Sequence, residues 1–252
     1  MFRGCTVVVV VPAFNEADKI EATLGAMPAF VDRVLVVDDG SHDGTPERAR
    51  SVADSRVEVL QHARNRGVGA AIASGYARAL ELGCDLVAVM AGDGQMDPAD
   101  LPPLLTSVTD GAADYAKGNR LAWPGVWRQM PPVRLVGTVV LSWLTRAATG
   151  YHDLSDPQCG YTVLSRSALL ALEPERIYPR YGYPNDLLAR LSDVGARVVD
   201  VPVRPVYGAA WRSGLRPSRV IVPLAGILLR AAARRAARRF RTPQQPSCKS
   251  AS

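Results

Sequence analysis

Asp93 and Gln95 stand two residues apart in Gly92-Asp93-Gly94-Gln95. On an extended loop residues i and i+2 point the same way, so the pair offers two oxygen ligands to one hard cation, Mg²⁺ or Mn²⁺, with positions left over for phosphate oxygens. An ordinary turn has the same composition. Asp38-Asp39-Gly40-Ser41 also has two readings. Its carboxylates can accept from a base N–H or a ribose hydroxyl, or the segment is a β-turn in which Ser41 or Asp43 caps the next helix. Asn65-Arg66-Gly67-Val68-Gly69 has the look of a phosphate loop, but Ile72 stands where G-x-G-x-x-G needs its third Gly and no G-K-[ST] follows. A dinucleotide or P-loop ATP site is thereby disfavoured.

These loops need a scaffold that gathers them. Thr6 to Val11 is β-branched throughout and stops at Pro12; Val34 to Val37 runs straight into Asp38; Leu86 to Met90 leads to the Asp93 loop. Such short, uninterrupted apolar runs suit strands buried on both faces. With a further strand at Val57–Leu60 and helix-like stretches at 17–26, 45–53 and 69–82, the alternation predicts a mostly parallel sheet with helices on both faces. In such sheets ligands gather at the carboxyl ends of the strands, which is where all three loops fall. Carboxylates crowded at one edge repel unless a metal or a ligand rich in donors joins them.

The chain has 252 residues, 48% of them hydrophobic, enough for one sizeable core. Its formal net charge of +6 is a C-terminal property: from Val201 to Ser252 there are ten Arg and one Lys and no Asp or Glu. Cys5, Cys84, Cys159 and Cys248 are far apart and form no C-x-x-C pair. Neither a disulfide framework nor a zinc site is expected, and a reducing cytoplasm fits. The N-terminus enters a strand-like run without the pattern of a secretory signal, so export is not expected.

Taken in order, five segments resemble the family 2 glycosyltransferases of GT-A fold, and within them the polyprenyl-phosphate (dolichyl-phosphate) mannose or glucose synthases. They are Val11 to Glu16, Val37 to Thr45, Asn65 to Ala71, Gly92 to Pro98 and Asp156-Pro157-Gln158-Cys159-Gly160-Tyr161. The resemblance implies a Rossmann-like GT-A domain over residues 1–216 and an inverting transfer of a hexose from a nucleotide sugar, of GDP-mannose or UDP-glucose type, to a polyprenyl phosphate. It assigns the donor to Pro12, Asn15, Glu16, Asp38, Asp39 and Gly67, and the metal to Asp93 and Gln95. Asp93, Asp156, Gln158 and Asp186 would be catalytic, Asp186 as a base where the acceptor is a hydroxyl and otherwise as a helix cap. In one respect the chain departs from the family: Ala91 stands where the first carboxylate of D-x-D is usual.

Arg134, Thr138, Ser142 and Arg146 recur every four residues among apolar neighbours, so a helix there has one polar stripe. By resemblance Arg120, Arg134 and Thr138 would bind the acceptor phosphate, which guanidinium groups grip with two hydrogen bonds each. Val220 to Leu229 is too short to span a bilayer and is interrupted by Pro223. With Arg230, Arg234, Arg235, Arg238 and Arg239 following at helical spacing, residues 217–240 are expected to form an amphipathic basic helix lying on anionic lipid, or else a solvated helical face. Residues 241–252 are expected to be a disordered tail. The protein is then cytoplasmic, peripheral at the inner face of the cell membrane, and no nucleic-acid partner is expected. Three other readings compete. A soluble hydroxyl acceptor would use the same site. A nucleotidyltransferase wants a Gly-rich loop with an early Lys, and none precedes Lys19. A non-catalytic lipid- or nucleic-acid-binding module leaves the strand-end acidic loops unexplained.

Overall fold

The computed structural model describes residues 1–126, 130–206 and 217–241. Strand β1 (Val7–Ala13) is buried at every residue, and its period of two splits the core in half. Val7, Val9 and Val11 face Leu24, Ala49, Leu101 and Leu104, whereas Val8 and Val10 face Ile72, Tyr76, Leu187 and Leu191. A strand with helices on both sides has no face left for polar residues, hence the unbroken valines.

The sheet is seven-stranded, in the order β3-β2-β1-β4-β6-β5-β7. Its members are β1, β2 (Arg33–Asp38), β3 (Val57–Gln61), β4 (Leu86–Val89), β5 (Tyr115–Asn119), β6 (Thr162–Ser165) and β7 (Val198–Pro202). β6 runs antiparallel to both β4 and β5; all other pairs are parallel. α1 (Ile20–Gly25), α2 (Thr45–Ser51) and α4 (Leu101–Thr109) cover one face. α3 (Val68–Glu81), α6 (Arg166–Leu172) and α7 (Tyr183–Asp193) cover the other. α5 (Pro132–Thr149) and α8 (Pro217–Arg241) pack together beside α7 through Leu141, Ala148, Ala189, Leu224, Leu228 and Ala231. This is the mostly parallel α/β sheet that the sequence predicts. Of the expected tail 241–252, only Arg241 lies within the described residues.

α3 crosses β1 at close range because Gly75 has no side chain: a Cβ there would lie 2.3 Å from Val10 Cγ1. Gly75→Ala is expected to lower the unfolding free energy by about 1–3 kcal/mol in urea titration. Gly25→Ala, with no atom within 4 Å of the new carbon, is expected to be neutral or slightly stabilising. Equal stability of the two variants would contradict the close packing.

Candidate active site

The loops after β1 and β2 are stitched together at the sheet edge. Asn15, in the left-handed region at φ 56°, donates its N–H to Ser41 Oγ and accepts from His42 N through Oδ1. Glu16 N donates to Thr45 Oγ1, and Ala17 N to Asp43 Oδ2. Asp43 also accepts from Thr45 N, but the N-cap of α2 is Gly44, with no side-chain cap. Asp38 is fully buried; its Oδ2 accepts from Ser41 N while Oδ1 has no partner among the described residues.

Asp39 organises the next loop. Its Oδ1 accepts from Arg66 N at 2.9 Å and its Oδ2 from Gly67 N at 2.7 Å. His62 Nδ1 lies 2.7 Å from Asp39 Oδ1, and His62 Nε2 lies 3.0 Å from Ser74 Oγ. With the proton on Nδ1, the ring donates to the carboxylate and accepts from the hydroxyl. Gly67, at φ 105°, lets the chain pass Pro179, whose carbonyl oxygen would lie 2.4 Å from a Cβ there. That approach brings Arg180 and Tyr181 over a cavity of about 450 Å³, walled also by Pro12, Glu16, Asp39 and Asp93. Asn15 and Asp38, both expected to touch a donor, do not line this cavity.

Beyond β4 the chain turns rather than extends. Gln95 N donates to Asp93 Oδ1 at 3.0 Å, and Gly94 has φ 70°. The extended-loop geometry expected for Asp93 and Gln95 is therefore replaced by a turn closed by the aspartate itself. Both residues still line a second, smaller cleft of about 60 Å³, and Asp93 stands on the wall that the cleft shares with the larger cavity. No cluster of three His, Cys, Asp or Glu occurs among the described residues. One carboxylate with one amide oxygen fits Mg²⁺ or Mn²⁺ held largely by phosphate oxygens.

The small cleft is lined by Arg120, Cys159, Gly160 and Arg204. Arg120 grips the fully buried Asp156 at two points, Nε to Oδ2 at 2.7 Å and Nη2 to Oδ1 at 2.9 Å. Burial alone would push the Asp156 carboxyl upward; the Arg120 hydrogen bonds and charge, with Lys117, hold it below the usual carboxylate range. Lys117, with no exposed surface, donates to the carbonyls of Asp156 and Cys159. Beside it in β7, Asp200 accepts from Ser155 N, and burial pushes its carboxyl up. Burial also pushes up the Cys159 thiol. Arg204 sits over the Trp123 ring at 5.6 Å and near Asp97 at 3.6 Å.

Several expected site residues are placed elsewhere. Asp156 is too buried to meet a ligand and positions Arg120. Gln158 donates to Asn185, which in turn donates to Thr145 Oγ1; Gln158 lines neither cavity. Asp186 does not cap its helix: its Oδ2 accepts from Tyr178 N and Arg190 Nε, and it too lines neither cavity. Thr138 is buried on the inner side of α5 and away from both cavities. The side chain of Arg134 lies outside the described residues. His62, Arg180, Tyr181 and Arg204 were missed; none sits in a motif, and only tertiary packing brings them to the site.

Asp156→Asn removes the counter-charge of the buried Lys117 and the half-buried Arg120 and is expected to cost about 3 kcal/mol at neutral pH. Because the folded carboxyl is held below its ordinary value, its contribution is complete above about pH 4 and is lost as pH falls through the lower folded value. Thermal melts should therefore show the gap between wild type and variant closing in acid. A gap constant down to about pH 3 would contradict the ion pair.

The sequence model of Glycosyl transferase family 2 matches residues 8–172. The undecaprenyl-phosphate mannosyltransferase of Micrococcus luteus is 33% identical over 202 residues, covering 78% of this chain and 82% of that protein. The polyprenol monophosphomannose synthase of Mycolicibacterium smegmatis is 32% identical, covering 77% and 75%. A UDP-N-acetylglucosamine–dolichyl-phosphate N-acetylglucosaminyltransferase of Methanococcus voltae is 27% identical, covering 79% and 84%. Among solved structures, glucosyl-3-phosphoglycerate synthase from Mycobacterium tuberculosis, in complex with phosphoglyceric acid, superposes with a TM-score of 0.70 at 21% identity, over 91% of this chain and 81% of that one; that likeness is one of fold. A sheet-edge cavity sharing Asp93 with an arginine-lined cleft, on a chain matched by the family model over most of its length, is thus accounted for: the chain belongs to glycosyl transferase family 2 and is a glycosyltransferase.

Proposed function

We propose that this glycosyltransferase moves a hexose from a nucleotide sugar of GDP-mannose or UDP-glucose type to a polyprenyl phosphate, with inversion at the anomeric carbon. The observation that carries the proposal is the common wall: Asp93 borders both the large cavity and the cleft holding Arg120 and Arg204. The large cavity accommodates the nucleoside, with Asp39 accepting from base or ribose beside Pro12 and Glu16. Two backbone N–H groups and, with its proton on Nδ1, the His62 ring already occupy Asp39, leaving about one of the roughly four acceptor sites of a carboxylate for that contact. Arg120, aimed by Asp156, and Arg204 suit the acceptor phosphate. An oxygen of that phosphate attacks the anomeric carbon as the bond to the nucleoside diphosphate breaks; the nucleophile is already anionic, so no base is required and Asp186 is not needed. A divalent cation at Asp93 and Gln95, when bound, neutralises charge on the leaving diphosphate.

The relatives' names support the acceptor, since three of them specify polyprenyl, undecaprenyl or dolichyl substrates. No described helix is long and apolar enough to cross a membrane. We place the enzyme peripherally at the inner face of the cell membrane, with residues 217–240 against lipid. Fewer of that helix's cations are available than their number suggests: Arg234 and Arg238 pair with Asp193, and Arg235 donates to Ala147 O.

Thermal-shift assays with GDP-, UDP- and dTDP-sugars, with and without Mn²⁺, are expected to give one strongly metal-dependent stabilisation. Asp39→Asn is expected to weaken that nucleotide about tenfold or more, as one hydrogen-bond set is lost. Asp93→Ala is expected to abolish transfer to prenyl phosphate without lowering the melting temperature of the free protein. Full turnover by Asp93→Ala, or transfer only to soluble hydroxyl acceptors, would overturn the proposal.

A further inference from the structure

Asp39 has less room for a ligand than its place on the cavity wall suggests. A carboxylate has roughly four acceptor positions, about two on each oxygen. Oδ1 accepts from Arg66 N at 2.9 Å and lies 2.7 Å from His62 Nδ1. Two lone pairs do not face each other at that distance, so Nδ1 carries the proton and donates. His62 Nε2, 3.0 Å from Ser74 Oγ on α3, accepts from that hydroxyl and holds the ring in this tautomer. The backbone N–H of His62 is tied to Asp38 O at 2.9 Å, and its side chain is only 9% exposed. Oδ1 is therefore filled, whereas Oδ2 accepts from Gly67 N at 2.7 Å and keeps one position open.

Nucleotide bases differ in how many donors they bring to such a group. Guanine presents two adjacent donors, the ring N1–H and the 2-amino group, and these pair with a carboxylate only when each oxygen offers a lone pair. Uracil and thymine present a single N3–H between two carbonyls. One open position on Asp39 matches the single donor. With guanine it leaves a donor buried and unpaired, which costs the desolvation of that group as well as the bond. The other carboxylates lining the cavity are turned to other groups: Glu16 Oε2 accepts from Lys19 Nζ at 3.0 Å, and Asp93 Oδ1 from Gln95 N at 3.0 Å. Arg180 lines the same cavity as a donor, which suits a carbonyl beside N3–H.

We infer that His62 is the positioning residue that sets base specificity: by filling Asp39 Oδ1 it adapts the site to a donor carrying uracil or thymine and against one carrying guanine. The inference rests on the nucleotide-sugar reading above, which admits both GDP and UDP types, and narrows it to a pyrimidine nucleoside diphosphate. His62 lines neither cavity and acts through the carboxylate that does. Its ring contributes no contact to the ligand; it removes one that guanine needs.

Isothermal titration of the full chain with UDP, dTDP, GDP and inosine diphosphate, each with Mn²⁺, reads the base directly. UDP is expected to bind at least about tenfold more tightly than GDP. Inosine diphosphate has the purine shape of GDP without the 2-amino group and is expected to bind more tightly than GDP, which separates the count of donors from the size of the base. His62→Leu frees the second position on Oδ1 and is expected to narrow the ratio of UDP to GDP affinity at least about threefold. His62→Asn, whose amide donates in place of Nδ1, is expected to retain the ratio. A merely structural role would weaken all four nucleotides alike. GDP binding as tightly as UDP, inosine diphosphate binding no better than GDP, or an unmoved ratio in His62→Leu with a wild-type melting curve would each overturn the inference. The two comparisons in the wild type decide it alone should His62→Leu fail to fold. Tight binding of GDP would leave the nucleotide-sugar reading intact, whereas binding of none of the four would remove both.

Discussion

Lys117 is an ammonium group with no exposed surface, and the half of the site around the small cleft is arranged around it. Withdrawing such a charge from water costs several kcal/mol unless partners replace its hydration. Its partners are the carbonyls of Asp156 and Cys159, with the Asp156 carboxylate to balance the charge. Meeting these demands fixes the 156–159 segment to the end of β5. From that position Asp156 holds Arg120 by a two-point grip. A buried carboxylate cannot touch a ligand, but the guanidinium it aims can.

The half around the larger cavity follows the same logic with opposite charge. Asp39 gathers two backbone N–H groups and an imidazole, which fixes the loop entering α3 and, through Gly67, the approach of Pro179. Each half is thus organised by one buried or nearly buried charge whose hydrogen bonds run to backbone. The antiparallel β6, set between β4 and β5, brings the two halves side by side at the Asp93 turn. The proposed displacement needs no more than that: two preorganised subsites and a charged residue at their boundary.

What could be read in the sequence followed from burial. β1, β2 and β4 are buried on both faces, so their apolar runs are unbroken and their ends are marked by the loops that carry Pro12, Asp38 and Asp93. β5 was not legible, because Lys117 in its middle reads as a solvent-facing residue until the carbonyls that receive it are known. The polar stripe of α5 was found at the right period, with Thr138 and Ser142 on one side; periodicity identifies a stripe and not the side that meets water. Asp93 and Gln95 are legible as a pair, but the choice between their two geometries is not, since a D-G-Q segment turns as readily as it extends. Arg180, Tyr181 and Arg204 reach the site from elements far along the chain, and no local pattern announces such an arrival.

The chemistry is read most directly in the product. Incubation of the full chain with its preferred nucleotide sugar, Mn²⁺ and a prenyl phosphate, followed by mass spectrometry and NMR of the purified product, identifies both the linkage and the anomeric configuration. The expected product is a glycosyl prenyl phosphate, joined through a phosphate oxygen, with the configuration opposite to that of the donor and one nucleoside diphosphate released per transfer. Retained configuration, or a sugar found on a hydroxyl with the prenyl phosphate unchanged, would contradict direct displacement by the acceptor phosphate at the boundary marked by Asp93.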